Sequence, residues 1–358
     1  MSPLVIPILS LCCTLSSGAS TRIDWDPATI RLLHPGATYG RMHRLAGGPI
    51  LCCFEASGRP WVMRSEDGAD SWSAPLQVAD FPAGTAANPD LCPLRDGSVL
   101  LFWNERPHQD GGPHPFTIRM AASHDRGRTW QHRPDPVFAA GNTRRTGCWE
   151  PAALETPGGA LRLFFSREVE NGQEITTMLS RDAGQSWSAP RRASFRPGHR
   201  DGMPVPILLA GGRTLFSIED NGLSGSDSKR FRPTIVDADT GKRWPALAAN
   251  PPPDAILAAP YLARLPTGDT LLSVQHSPDD NAPIRMAVFI GGPDATGFGN
   301  PSFPFAGHPQ RDCLWNSLFV PDQDRVIALA NTRIDGRSGL WSVTGRVVRE
   351  RENTGDPD

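Results

Sequence analysis

The sequence has only two tyrosines, no block of basic residues, and no long stretch of apolar residues at helical spacing. Short apolar runs between turn residues occur throughout instead, which argues for an all-β chain. A formal net charge of −2 without a basic cluster speaks against nucleic acid as a partner. The one long apolar run, Leu4 to Leu15, is too short to span a bilayer. No nucleotide-binding loop, zinc-ligand spacing or Ser-His-Asp arrangement occurs, so neither metal nor cofactor is expected. Five of the seven cysteines (Cys52, Cys53, Cys92, Cys148 and Cys313) lie beyond that run. They have no framework spacing and read as small buried hydrophobes, with one bridge open to them in an exported protein.

Turn residues, by contrast, are abundant. The 35 glycines and 36 prolines are spread along the chain, which signals many turns and not a disordered tract. Residues 1–19 read as a signal peptide: an apolar run followed by Ser17-Gly18-Ala19, although the preceding residues carry no Lys or Arg. The expected organisation is therefore a signal over 1–19, one domain over 20–350 and a tail over 351–358, in a secreted or periplasmic protein.

One unit recurs six times: an apolar strand, a tight turn, and a second apolar strand. The turns fall at Gly47-Gly48, Asp96-Gly97, Gly158-Gly159, Gly211-Gly212, Thr267-Gly268 and Gln323-Asp324, at intervals of 49, 62, 53, 56 and 56 residues. That period matches one four-stranded propeller blade. A second motif interleaves with the first. Ser123–Trp130 and Ser180–Trp187 fit S-x-D-x-G-x-[ST]-W throughout, Ser65–Trp72 has Ala69 at the glycine position, and Asp237–Trp244 lacks the serine. Asp67, Asp125, Asp182 and Asp239 are expected to be structural, each accepting backbone N–H bonds in a self-contained turn.

These repeats resemble the Asp-boxes (BNR repeats) of the sialidase superfamily over about residues 35–348. The resemblance implies a six-bladed β-propeller, with Ile23–Leu33 supplying the outer strand of the last blade and closing the ring. Asp-boxes and glycine turns then share one face. The opposite face receives the starts of first strands and the ends of second strands, where many carboxylates gather. Within this frame, Trp149-Glu150-Pro151, the box at Ser180–Trp187, Asp201-Gly202-Met203-Pro204 and Glu219 follow one another. That order resembles glycoside hydrolase family 93, the exo-acting α-L-arabinanases. The likeness implies a retaining mechanism on a carbohydrate substrate, with Glu150 as acid/base and Glu219 as nucleophile.

Arg41, Asp90, Trp149, Arg200, Asp201, Tyr261 and Trp315 are candidate substrate-binding residues, with Trp103 a further aromatic at the same end. Two other readings are consistent with the same framework. An exo-α-sialidase needs three arginines and a nucleophilic Tyr; Arg41 stands at the first arginine position, Arg200, Arg264, Arg311 and Arg333 are available as others, and the only tyrosines are Tyr39 and Tyr261. Asp67 belongs to a box, so the Asp expected after Arg41 is missing. The third reading is a propeller that binds glycans without cleaving them.

Overall fold

The computed structural model describes residues 21–223, 230–247, 255–279, 281–308 and 311–349, so the expected signal over 1–19 and the tail over 351–358 lie outside the described residues. Among the described residues the only helical element is one turn at Arg144–Thr146, and six sheets make up the rest. Each sheet is built round an antiparallel hairpin whose turn is one of the six predicted from the sequence. Blade 1 comprises Thr38–Arg44, Ile50–Ala56, Arg59–Ser65 and Leu76–Gln77, and blade 3 Cys148–Glu155, Leu161–Val169, Gly172–Ser180 and Arg191–Ser194. Blade 4 comprises Asp201–Leu208, Thr214–Asp220, Arg232–Asp237 and Arg243–Pro245; blade 5 comprises Ile256–Arg264, Thr270–Ser277, Arg285–Gly291 and Gly299–Ser302. In blade 6, Arg311–Phe319, Arg325–Ile334 and Arg337–Arg349 are completed by the N-terminal strand Thr21–Pro35, which pairs antiparallel with the third strand. First strands pack against one another in ring order, and the first strand of blade 6 packs against that of blade 1. The closure joins the two ends of the described chain and leaves no unpaired hairpin between blades 6 and 1.

Blade 2 departs from the expected four strands. Its first three are Gly84–Pro93, Val99–Pro107 and Thr117–Ser123, and both Gln131–His132 and Phe138–Ala139 pair with the third. Pro134 and Pro136 lie between the two short pieces. Neither can donate to the ladder, so the outer strand is split in two.

The hydrophobic core lies between blades rather than in one central mass. Second strands such as Ile50–Ala56 and Val99–Pro107 are buried along nearly their whole length because both faces meet a neighbouring blade. Aromatic pairs cross these interfaces: Phe138 meets Phe165 with ring centroids 4.8 Å apart, and Phe164 meets Phe216 at 5.0 Å. Trp103 is part of this core and not of any surface. All five described cysteines are buried thiols outside any disulfide.

The S-x-D-x-G turns explain why that motif repeats. In the turn after Ser123, Asp125 accepts from the backbone N–H groups of Arg128 and Thr129, and the Ser123 hydroxyl accepts from Gly127 N–H at 2.8 Å. Asp182 and Asp67 accept from Ser186 and Ser71 in the same way. The glycine has two reasons to be there. Its φ is +83° at Gly127, and a Cβ at that position would stand 2.8 Å from Leu51 of the preceding blade. Arginines of one blade reach the turn of the next: Arg31 donates to Asp70 O, Arg64 to Arg126 O, and Arg133 to Gly184 O. The turns thus clasp adjacent blades. The fourth, degenerate copy differs from expectation. There Asp237 accepts from Asp239 N–H and Thr240 N–H, whereas Asp239 is an exposed partner of Arg162. With the serine replaced by Asp237, the capping carboxylate has moved two residues upstream.

These bonds hold the Asp67 and Asp182 carboxyls down at about 2, chiefly through the Ser71 and Ser186 hydroxyls and backbone N–H groups, and lower Asp125 as well. A carboxyl lowered in the folded state contributes stability that is complete above its unfolded value, about 4, and is lost as pH falls through the folded value. Acid unfolding followed by circular dichroism should therefore fall between about pH 4 and pH 2. Asp125→Ala should lower the melting temperature at pH 7 with little change in activity; normal melting with abolished turnover would show that the turn belongs to the reacting face.

Candidate functional site

The end of the channel opposite these turns is shaped by a feature that all six blades share. The first hairpin of every blade breaks register near its open end, between Thr38 and Arg41, Ala87 and Asp90, Trp149 and Ala152, Gly202 and Val205, Ala258 and Tyr261, and Leu314 and Ser317. In each bulge one non-glycine residue adopts a left-handed backbone: Tyr39, Asn88, Glu150, Met203, Ala259 and Trp315, with φ from +47° to +55°. Proline follows in four of them, at 89, 151, 204 and 260. A first strand borders the channel and has no partner on that side, so the missing proline N–H breaks no ladder bond. The bulge thus interrupts the pairing at the same level of every blade.

Glu150 is the left-handed residue of the blade 3 bulge. Its Oε2 accepts from Met203 N–H at 2.9 Å and from the Ser166 hydroxyl at 3.0 Å. Glu219, at the end of the second strand of blade 4, accepts from Ala259 N–H at 3.1 Å. The Gly202–Met203 peptide lies between the two carboxyls. A Cβ on Gly202 would stand 3.2 Å from Glu219 Oε1, while Met203 N–H is on Glu150. Standard backbone lengths then hold the two carboxyl groups within about 10 Å of each other. Burial, and then the Glu150 carboxylate, push Glu219 up to about 7. Glu219 thus keeps its proton to a higher pH than an ordinary glutamic acid.

The remaining candidates separate into three groups. Arg200 and Trp315 stand at the rim. Arg200 is exposed and donates to Glu168 Oε1 at 3.2 Å, and Trp315 is the most exposed large aromatic among the described residues. Trp149 lies beside the mouth but is held as a support. Its indole N–H donates to Glu168 at 3.1 Å, Phe116 packs against its edge at 5.0 Å, and the Arg106 guanidinium lies 5.2 Å over its ring. Arg41, Asp90 and Tyr261 form a buried tier below the left-handed residues. Arg41 lies 3.9 Å over the Tyr39 ring and 5.0 Å over that of Tyr261, and Asp90 accepts from His43 at 3.0 Å.

Asp201 does not reach the mouth. It is fully buried, accepts from the Ser194 hydroxyl at 2.6 Å and pairs with Arg243, which also reaches buried Asp220 at 3.2 Å. Burial raises the Asp201 carboxyl against the opposing pull of Arg243. These partners fasten blade 4 on the side to which strand alternation points Asp201, away from the channel.

Several mouth residues were not singled out from the sequence: Asn88, whose N–H donates to Glu55 Oε2 at 3.2 Å, Ser166, and the Met203 and Ala259 backbone N–H groups. The signal that could have found them is the X-Pro pair at a matching point of four first strands. It is visible only once the blades are aligned on their turns.

Tyr39, Met203 and Ala259, from blades 1, 4 and 5, pack together as a small buried cluster, and the N–H groups of Met203 and Ala259 are the ones that Glu150 and Glu219 accept from.

The described residues form a six-bladed β-propeller. Among solved structures, the family 93 α-L-arabinofuranosidase of Fusarium graminearum in complex with arabinobiose matches with a TM-score of 0.66 at 20% identity, over 92% of this chain and 98% of that one. The α-L-arabinanase of Penicillium chrysogenum complexed with arabinobiose matches with a TM-score of 0.65 at 19% identity, over 93% and 98%. A mutant of Trypanosoma rangeli sialidase displaying trans-sialidase activity matches with a TM-score of 0.56 at 11% identity, over 86% of this chain and 54% of that one. No family model matches the chain, and no curated protein does. The resemblance read from the motifs thus holds at the level of the fold. No helix among the described residues is long and apolar enough to cross a membrane.

Proposed function

We propose that this protein is an exported, exo-acting glycoside hydrolase with a retaining two-carboxylate mechanism, acting on α-L-arabinofuranosyl oligosaccharides. The observation that carries the reading is the pair Glu150 and Glu219 on either side of the Gly202–Met203 peptide. Paired carboxyls about 5 Å apart serve a retaining glycosidase, and exo action is what the family 93 resemblance implies. Glu219 holds the resting proton and is the group suited to protonate the leaving oxygen. Glu150 is the nucleophile: both of its hydrogen bonds fall on Oε2, and Oε1 remains for the anomeric carbon. After the glycosyl-enzyme forms, Glu219 takes the proton of the attacking water. The export part of the proposal is supported by the apolar run Leu4–Leu15 and the small residues after it.

The geometry favours this over a sialidase. Both phenols are buried, and burial raises Tyr39 and Tyr261 far above the ordinary tyrosine value, the reverse of an activated nucleophile. Arg264 pairs with Thr270 beside the glycine turn, at the far end of the channel from the mouth. The test is a hydrolysis screen of chromogenic α-L-arabinofuranosides, arabinobiose and sialosides, with the anomer of the first product read by NMR. Release from the arabinofuranosides with retained configuration is expected. Inversion sinks the mechanism, cleavage of sialosides alone sinks the substrate class, and binding without cleavage supports the non-catalytic propeller.

A further inference from the structure

Of the six left-handed residues around the mouth, Tyr39, Asn88, Met203 and Ala259 are buried, whereas Trp315 is 37% exposed. A side chain with a Cβ strains this backbone, and glycine would relieve the strain. Burial offsets that cost at the other positions more fully than at Trp315, whose indole stays open to solvent. Nothing in the fold calls for a large aromatic here. The residue is nevertheless held firmly in place. Its carbonyl accepts from Arg41 Nη1 at 3.3 Å, and its ring tilts against that of Tyr39 with centroids 6.3 Å apart. Strain retained at an exposed side chain in a pocket mouth is a mark of ligand contact.

A second observation points the same way. Asn88 Oδ1 is buried and has no hydrogen-bond partner among the described residues, and Asn88 is 7% exposed. Unpaired buried polar atoms are costly, and a ligand that pairs with them removes the cost. The mouth thus has an aromatic side at Trp315 and Tyr39 and a hydrogen-bonding side at Asn88, next to Glu150 on the following blade. A sugar ring has the matching shape, with one apolar C–H face and a rim of hydroxyls.

We infer that Trp315 is the platform on which the terminal sugar ring stacks, with the Asn88 amide reading a hydroxyl on its edge, and that these two residues set the pocket's sugar specificity. The inference rests on the glycosidase reading and deepens it.

The test uses the full chain carrying Glu219→Gln, titrated with arabinobiose by calorimetry. Trp315→Ala in that background is expected to weaken binding roughly tenfold or more, from the lost apolar contact. Trp315→Phe should hold binding within about threefold, because a smaller aromatic face remains. Trp315→Gly separates ligand contact from a structural role: binding should fall while the melting temperature stays level or rises, since the left-handed strain is gone. Asn88→Ala should weaken binding with the melting temperature unchanged. If Trp315→Ala binds arabinobiose as its parent does, or if binding and melting temperature fall together in Trp315→Gly, the platform assignment is overturned. If the Glu219→Gln parent itself binds no arabinobiose, the arabinofuranosyl reading fails first and the platform falls with it.

Discussion

Glu219→Gln is expected to lower turnover about 10²–10⁴-fold on substrates with poor leaving groups while the propeller stays folded. The reason is the raised carboxyl, the group that keeps its proton nearest to neutrality. A dinitrophenyl glycoside needs little protonation to leave, so its first step should be spared in this variant, and azide should restore turnover by attacking the glycosyl-enzyme. Glu150→Gln should be inactive on every substrate and unresponsive to azide. The opposite pattern would return the roles to those the family resemblance implies, and full activity in both variants would sink the pair altogether. In the unmodified enzyme kcat/KM should fall as pH rises through about 7. Stability carries the same signature. A carboxyl raised in the folded state is fully tolerated below its unfolded value, about 4, and costs stability as pH rises toward its folded value. Glu219→Gln removes that cost. It should raise the melting temperature at pH 8 and leave it nearly unchanged at pH 4.

The largest stability effect is expected at Arg243. Its guanidinium pairs with Asp201 and Asp220, whose carboxylates are fully buried, and also bonds the Ser194 hydroxyl. Arg243→Met keeps much of the aliphatic stem but leaves Asp201 without its ion-pair partner. Asp220 keeps Arg196 at 3.2 Å. Breaking a buried pair on one side costs about 3–5 kcal/mol, more than the pair itself contributes over an apolar replacement. Denaturant titration should find this loss at pH 7. It should shrink as pH falls toward 4, because burial already raises Asp201 and an orphaned carboxyl protonates more readily still. Asp201→Asn in the same background should recover part of the loss. A loss under 1 kcal/mol in Arg243→Met would show that the cluster is hydrated and not a clasp.

Much of the propeller is legible from local signals. Glycine turns punctuate each hairpin, and a strand-turn-strand unit can bury its faces only against copies of itself, so the period alone points to blades. The sixth turn shows that the signal survives substitution. Without glycine at Gln323-Asp324, the Asp322 carboxylate accepts from Asp324 N–H and Arg325 N–H and makes the turn instead. The carboxyls at strand ends are legible too, since hairpin direction alone assigns Glu150 and Glu219 to the face away from the boxes. Which neighbouring carboxyl faces the channel is not. Glu219 and Asp220 are adjacent, and Asp201 is one residue from Gly202, yet Glu219 reaches the mouth while Asp201 and Asp220 share Arg243 on the other side.

By itself, then, the sequence determined the number of blades, the closure by the N-terminal strand and the end of the strands at which the acidic groups stand. Each of these follows from spacing and chain direction, which are local properties. The tertiary structure alone decided which side chains meet. Asp201 pairs with Asp220 and Gly202 with Glu219, and the bulge at Met203–Pro204 then slips the register of one strand against the other. Glu219 and Asp220 lie in regular pairing outside that bulge, and successive residues of a strand point to opposite faces, so alternation separates a clasp residue from a channel residue within a single dipeptide. The raised Glu219 carboxyl is likewise a tertiary outcome. Glu219 is raised by the burial that blade 5 completes and by a carboxylate from blade 3, and no stretch of the chain contains both.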